Sequence, residues 1–293
     1  SSVQMMKNLN LWTKIEGTAQ PISNIKVSHG TIERGPASAT LQFNNADIEE
    51  SPMAQILEDR FLRQCLIQEI KENNLIDLIE QRKIIEIHDT NKQKQLTLDN
   101  SSKLKTSLIV ASDGINSPTA KAFGIKKAGW KYKQRGLVCA VNHEYSSNNT
   151  AYQYFLPEGP LAILPIKNNT ASIVWTESIQ NAATISEMNE AEYLRVLQNR
   201  FGDFLGKLKL TGKRLSFPLK LSISEKYVSD KFAVIGDAAH GYHPIAGQGL
   251  NAGLRDIAAL VDVISCARER GEDFSSINIL NRYQEWRRFD NQA

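Results

Sequence analysis

Between residues 236 and 253 the sequence reads Gly236-Asp237-Ala238-Ala239-His240-Gly241-Tyr242-His243-Pro244-Ile245-Ala246-Gly247-Gln248-Gly249-Leu250-Asn251-Ala252-Gly253, and this stretch decides the fold. It holds five of the chain's 17 glycines. Glycine lets a backbone approach a flat or bulky ligand closely. A helix opening at Gly247-Gln248-Gly249 turns unpaired N–H groups and its positive dipole end toward whatever lies above it, which suits an anionic or electron-rich ligand. Just upstream, Phe232-Ala233-Val234-Ile235 reads as a short buried strand that Gly236-Asp237 terminates. Asp237 therefore stands at the carboxyl end of a strand, where open α/β sheets bind ligands, and a carboxylate there suits sugar or ribityl hydroxyls better than phosphate. A capped turn with packing glycines would explain a lone Gly-Asp pair, but not Gly-Gln-Gly followed by Asn251 and Gly253.

Downstream, Leu250, Leu254, Ile257, Val261 and Ile264 fall at 4,3,4,3 spacing and predict the apolar stripe of a helix that closes near Gly271. Upstream, Leu108 to Ala111 is a short apolar run, the pattern of a strand buried on both faces, and it ends at Ser112-Asp113-Gly114. Gly136–Val141, Ala151–Leu156, Leu161–Pro165 and Ala171–Trp175 read as an antiparallel meander, and Ile84–Ile87 with Gln95–Leu98 as a hairpin. Short strands are expected across 21–50, a helix-like stretch at Ser2–Trp12, and a polar helix at Ser186–Arg200. Ser51-Pro52 reads as the cap of a helix over Met53–Lys71 that packs on more than one side. The fold class is thus α/β with an α+β antiparallel sheet, in two intertwined domains.

Composition narrows the function classes. At 293 residues, 41% hydrophobic and 23% charged, the chain is of globular type. No apolar run approaches the length of a membrane span. A formal charge of +3 without a marked Lys/Arg block gives no nucleic-acid footprint. Cys65, Cys139 and Cys266 are widely spaced and odd in number, so they are expected to be reduced, buried thiols. His240 and His243 lack a carboxylate or Cys partner at ligand spacing, so no metal is expected and structural or cofactor-shell roles are favoured. Tyr152, Tyr154, Phe155 and Trp175 fit core packing better than an aromatic pocket, and Trp286-Arg287-Arg288 reads as a solvated helix face.

Gly236-Asp237-Ala238-Ala239-His240, Pro244, Ala246-Gly247-Gln248-Gly249-Leu250-Asn251, Gly253 and Asp256 resemble the flavin-binding motif of the para-hydroxybenzoate hydroxylase-like monooxygenases, in the version of the ubiquinone-biosynthesis hydroxylases. Asp113-Gly114-Ile115-Asn116-Ser117 is similar to that family's D-G-x-x-S segment, Phe155 to Pro165 to its sheet hairpin, and Phe217-Pro218-Leu219 precedes the motif as in the family. The resemblance extends over nearly the whole chain. It implies an FAD cofactor, with Asp237 holding the ribityl chain, Pro244 near the isoalloxazine, and the amides of Gly247, Gln248, Gly249, Leu250 and Asn251 facing the pyrimidine edge. Gly236 would form the turn before Asp237, and Asp113 would lie near the diphosphate or organise the nucleotide-facing loop. Two departures stand out: Ala120, with Lys121 beside it, occupies the place of a family Arg, and the family's opening βαβ unit with its G-x-G-x-x-G turn is not found in these 293 residues. Only half of the cofactor site is then expected here.

The resemblance implies an FAD-dependent monooxygenase that hydroxylates the aromatic ring of a polyprenylated phenol in ubiquinone biosynthesis by way of a flavin C4a-hydroperoxide. Dioxygen would be co-substrate, and NAD(P)H or an electron-transfer protein the reductant. The cofactor carries the difficult step, so no side chain is assigned to catalysis. Residues 1–20, 51–120 and 226–293 are expected to form an incomplete FAD-binding domain, and 21–50 and 121–225 a substrate domain. The expected location is cytoplasmic, with room for peripheral contact with the inner membrane and with other ubiquinone-biosynthesis proteins. Two alternatives remain: a non-catalytic subunit or fragment that binds a lipid quinone precursor or partner hydroxylases, and a flavin-dependent reductase of isoprenoid chains.

Overall fold

The computed structural model describes residues 2–31, 35–47, 52–90 and 92–292. Contacts divide it into two units, one of Val3–Ile76 with Tyr132–Leu219 and another of Asp77–Lys131 with Lys220–Ala293. The chain crosses between them repeatedly, as the alternation of sequence pattern predicts. The boundaries differ from the expectation. Residues 3–20 and 52–76 group with the large sheet, because Ala54–Ile56 pairs antiparallel with Gln20–Ile22 and Lys14 forms an ion pair with Glu69.

The first unit is built on a sheet whose strands run, in spatial order, Leu208–Ser224, Lys127–His143, Thr170–Ser178, Gly159–Ile166, Thr150–Leu156, Asn24–Thr31 and Gly35–Asn44. The four central strands are the antiparallel meander expected from the sequence, with Ile163 opposite Ile173 and Trp175 opposite Leu137. Thr150–Leu156 also pairs in parallel with Asn24–Thr31, which joins two pieces of chain more than a hundred residues apart into one sheet. Alternate residues point to one face, so Val141, Leu161, Ile163, Ile173 and Trp175 are buried together. The helices Ile179–Glu187 and Glu190–Phe201 contribute Ala182, Ile185, Tyr193 and Leu197 to that core. They replace the single helix expected at 186–200, because Asn189 accepts the Glu192 N–H while the Glu192 side chain accepts the Asn189 N–H, a capping box that starts a new helix. Tyr154 and Trp175 are core residues, while Phe155 is exposed.

Met53–Lys71 is also corrected. The helix runs from Asp59 to Glu72 and none of its residues is buried, because Ala54–Ile56 is held as a strand. Its proposed cap, Ser51, lies outside the described residues. The stretch Ser2–Trp12 forms the helix Ser2–Asn8, and a short helix follows at Trp12–Ile15.

In the second unit, Ile84–Asp89, Lys94–Leu98 and Lys103–Thr106 form an antiparallel sheet. Phe232–Val234 pairs in parallel with Ile109–Ala111 and antiparallel with Val228–Ser229. All three residues of Phe232–Val234 are buried, whereas Val110 is 40% exposed, so only one of these two strands is covered on both faces. The helices Gln248–Glu269 and Ile277–Gln292 pack on this sheet. The first starts where the sequence places it, but its buried stripe is Ala252, Asp256, Ala259, Leu260, Val263 and Ala267. Leu250 and Val261, members of the expected stripe, are 60% and 55% exposed. Small side chains on the inner face let the helix approach its neighbours closely, and periodicity counted on large residues alone overlooks them.

Candidate functional site

The strand Phe232–Val234 is anchored from behind by Tyr283, whose hydroxyl donates to the Val234 carbonyl at 2.7 Å. At Gly236 the chain leaves the strand with φ +57° and makes a 3-10 turn through Ala238, which leaves Asp237 exposed at the strand's carboxyl end. A Cβ on Gly253 would lie 3.3 Å from the Gly236 Cα, so the long helix and the turn meet backbone to backbone. One helical turn beyond Gly253, Asp256 is completely buried. Its Oδ2 accepts the Gly236 N–H at 2.8 Å and the His240 Nε2–H at 2.6 Å, while Oδ1 accepts Arg287 Nε at 2.6 Å. His240 therefore does have a carboxylate partner, 16 residues away in sequence, and its ring is held in the tautomer that donates from Nε2. Arg287 is 2% exposed, which overturns its reading as part of a solvated face. Burial works against its charged form, but hydrogen bonds to Asp256 and Asp290 outweigh that and hold its pKa above the ordinary value.

The Asp113 loop joins this turn through two contacts. Ile115 lies over Gly241, where a Cβ would come within 2.3 Å of its Cδ1, and Lys127 Nζ donates to the carbonyls of Ile115 at 2.8 Å and Asp237 at 3.3 Å. Asp113 accepts the Ser117 hydroxyl and, at 3.0 Å, the Thr119 N–H. Burial alone would raise its pKa, yet these hydrogen bonds prevail and hold it below the usual carboxylate value. The D-G-I-N-S segment is thus a braced loop ahead of the short helix Pro118–Ala122, which Ser117 caps.

The other side of the site begins at His243. Its Nδ1 accepts the Ile245 N–H at 3.2 Å and so caps the 3-10 turn Pro244–Ala246. Gly247 then takes φ +60°, which reverses the chain and starts the helix at Gln248 without a side-chain cap on its first N–H groups. Pro244, Gly247, Gln248 and Leu250 are exposed, and Asn251 Oδ1 accepts the Ser2 hydroxyl at 2.7 Å. A Cβ added at Gly247 or Gly249 would meet nothing within 4 Å. The start of this helix is an open ledge of backbone donors at the positive end of a 22-residue dipole, a surface that a flat, electron-rich ring can approach. The residues present therefore fit a flavin: an exposed carboxylate at a strand end for hydroxyls, and a helix start that Gly247 leaves without a side-chain cap for the ring edge.

All the residues singled out from the sequence, Asp113, Gly236, Asp237, Pro244 and Gly247 to Asn251, lie in the second unit on two loops and one helix end that these contacts tie together. Sequence reading missed Arg287, although Tyr283 and Arg287 at i,i+4 place both on one helix face. It also missed Lys127 and Lys220. For Lys127 the signal was the absence of any Asp or Glu from Gly114 to His143, a stretch that holds six Lys and Arg; Lys220 lies outside it and carried no such mark. Among the described residues no group of His, Cys, Asp and Glu is arranged to hold a metal ion. Cys139 is buried and the other two thiols are partly exposed, contrary to expectation for the latter. No helix among the described residues is long and apolar enough to cross a membrane.

Comparison with known proteins adds four findings. A family model described as FAD binding domain matches residues 1–289. The chain is 33% identical over 289 residues to the ubiquinone hydroxylase UbiL of Rhodospirillum rubrum, covering 98% of this chain and 66% of that protein. It is 30% identical over 292 residues to the 3-demethoxyubiquinol 3-hydroxylase of Escherichia coli, covering 99% of this chain and 73% of that one. The chain thus spans about two thirds to three quarters of the length of these relatives. In fold it is similar to PqsL of Pseudomonas aeruginosa, described as a probable FAD-dependent monooxygenase, with a TM-score of 0.83 at 20% identity over 99% of this chain and 80% of that one.

Proposed function

Since this chain belongs to the FAD binding domain family, in the group of FAD-dependent monooxygenases that holds the ubiquinone-biosynthesis hydroxylases, we propose that it is an FAD-dependent hydroxylase acting on the aromatic ring of a polyprenylated phenol in ubiquinone biosynthesis. The observation that carries this reading is the open ledge at Gly247–Asn251 beside the exposed Asp237 carboxylate. The bound flavin supplies the oxygen transfer, in which dioxygen gives one atom to the ring and the other to water while a two-electron donor, NAD(P)H or an electron-transfer protein, is oxidised.

The chain's own residues bind and polarise. In this reading Asp237 accepts hydrogen bonds from the ribityl hydroxyls, and Pro244 lies beside the ring system. The helix start at Gly247 to Asn251 would face the pyrimidine edge, where negative charge gathers on reduction, with the N–H of Gly247 itself taken by the Pro244 carbonyl at 3.1 Å. Donors fixed in place before the reaction stabilise that charge without reorganising. Asp256 acts one step back, since it holds both the Gly236 N–H and His240 and so fixes the turn that presents Asp237. Asp113 keeps the neighbouring loop braced. We assign flavin binding to the second unit and recognition of the phenol to the sheet of the first.

The test is a titration of the purified chain with FAD, followed by flavin absorption and fluorescence, beside Asp237→Asn. The expected result is saturable binding that weakens about tenfold or more in the variant, the worth of a hydrogen bond to a charged acceptor. Incubation with a prenylated phenol, FAD and a reductant should then give a product heavier by one oxygen atom. Binding indifferent to Asp237, or a product heavier by two hydrogens, would refute the assignment.

A further inference from the structure

In the first unit, a cavity of about 450 Å³ opens where the strand Leu208–Ser224 meets the helices Ile179–Glu187 and Glu190–Phe201. That volume is within the range of sites that take small organic molecules. Its wall is apolar at Leu137, Tyr193 and Leu210, polar at Ser186, Arg214 and Ser216, and contains no carboxylate. The guanidinium of Arg214 lies over the Tyr193 ring at 4.8 Å, and its Nη2 donates to the Met188 carbonyl at 2.7 Å. Met188 ends the helix Ile179–Glu187, so this contact caps the helix and takes one of the five guanidinium donors. Nη1 is buried without a hydrogen-bond partner, and among the described residues Arg214 forms no ion pair. A buried charged donor left over in this way is costly, and a helix cap alone does not require it. Beside it, Arg135 donates from Nε to the Ser216 hydroxyl at 2.7 Å and from Nη2 to the Ser216 carbonyl at 3.0 Å, which leaves that hydroxyl as a donor on the cavity wall. The Tyr193 hydroxyl is engaged with Cys139 Sγ at 3.2 Å, so Tyr193 offers its ring and not its oxygen.

We propose that this cavity binds a small organic carboxylate, with its oxygens on Arg214 and the Ser216 hydroxyl and its carbon body against Tyr193 and Leu210. A planar guanidinium matches the two oxygens of a carboxylate, and the ring stacked beneath it holds its plane. Phosphate would call for more positive charge than the wall supplies, because Arg135 is already turned to Ser216 and Lys213 is exposed. A neutral phenol would leave the guanidinium charge uncompensated, so the cavity is distinct in chemistry from a phenol site. It also lies on the helix-covered side of the sheet, since Leu137 and Tyr193 belong to the core between sheet and helices. The inference goes beyond the flavin reading and does not depend on it, because every residue proposed for the flavin is in the second unit.

The experiment is a calorimetric titration of the full 293-residue chain with 4-phenylbutyrate, beside its neutral amide, which has the same carbon body. Arg214→Gln removes the charge, Arg214→Lys keeps the charge without the planar fork, and Leu210→Trp fills the cavity while leaving Arg214 in place. Urea melts check that each variant folds as the parent does, and the other two variants decide if one does not. The acid should bind at one site per chain, and the amide about tenfold more weakly or worse. Binding of the acid should weaken about tenfold in Arg214→Gln, fall by less in Arg214→Lys, and disappear in Leu210→Trp. FAD affinity, titrated in parallel, should be unchanged in all three. No binding of the acid at millimolar concentration overturns the proposal, as does an amide that binds equally well, or binding indifferent to both Arg214 and Leu210. Displacement of the acid by a prenylated phenol would give the cavity to the substrate and overturn it too. A chain that fails to bind FAD but binds the acid through Arg214 would end the flavin reading and leave this inference standing.

Discussion

Replacing Asp256 by Ala tests whether the flavin turn is held from behind. The carboxylate is fully buried and accepts three donors: Gly236 N–H, His240 Nε2–H and Arg287 Nε. Each buried donor left without a partner costs about 1–3 kcal/mol. Arg287 keeps its second partner, Asp290, whose side chain is 39% exposed, so part of the guanidinium charge stays compensated. The expected loss is therefore about 4 kcal/mol, within the usual range for breaking one side of a buried ion pair. With a urea dependence of about 3 kcal/mol per molar, that moves the midpoint of the second unit's transition down by about 1.3 M. Trp286, which neighbours Arg287 on the last helix and is half exposed, reports this transition by fluorescence. The double variant Asp256→Leu with Arg287→Met should cost less than the sum of the single changes, because no buried charge is then left alone. FAD affinity should fall in Asp256→Ala even at low denaturant, since Gly236 no longer fixes Asp237. A midpoint shift below about 0.3 M, corresponding to about 1 kcal/mol, or strictly additive losses in the double variant, would refute the reasoning.

Gly249→Ala should separate fold from ligand: a Cβ there meets nothing within 4 Å, so stability should hold or rise by up to about 1 kcal/mol from helix propensity, while FAD affinity drops because the methyl group stands where the ring must approach. Burial lowers the His243 pKa below 6.5, so the unfolded chain binds more protons just under that pH; the stability given by the neutral ring is complete above 6.5 and is lost as pH falls toward the folded value. FAD affinity should decline over the same window as the cap on Ile245 is lost, and His243→Asn should flatten that dependence. Asp113 behaves with the carboxylate sign: its hydrogen bonds contribute above the ordinary value of 3.8 and are lost as pH falls through its lowered pKa. Asp113→Ala should cost about 1 kcal/mol and loosen hydrogen exchange at the Thr119 and Ala120 amides.

The parts of this molecule that could be read in advance are those where one local rule suffices. Phe232–Val234 is a strand because four apolar residues end at a Gly-Asp turn, and the helix after Gly247 starts where a left-handed glycine must precede it. The meander between Gly136 and Trp175 shows the same thing through alternation and turn residues. The errors fall where a distant partner decides. Ala54–Ile56 has helix-compatible residues and becomes a strand because Gln20–Ile22 lies beside it. The long helix turns its alanines and a buried aspartate inward, since Asp256 must reach Gly236, His240 and Arg287 at once, and no periodicity of large side chains records that demand.

The candidate site divides along the same line. Asp237 and the Gly247 to Asn251 ledge were legible because a backbone that must approach a ligand needs glycine, which marks the sequence directly. Arg287 and Lys127 were not, because each acts on a segment far away: Arg287 through a carboxylate 31 residues off, Lys127 through a carbonyl 110 residues off. In the flavin reading, the motif therefore names the groups proposed to face the ligand and is silent about those that hold them in place. Positioning groups are single charged residues in ordinary surroundings until the fold brings their partners within reach. For this chain it follows that variants of Asp237 should change affinity with little change in stability, whereas variants of Asp256 should change both. A molecule in which Asp256→Ala lost FAD without losing stability would mean that the carboxylate meets the ligand itself, and the division between facing and holding groups drawn here would have to be redrawn.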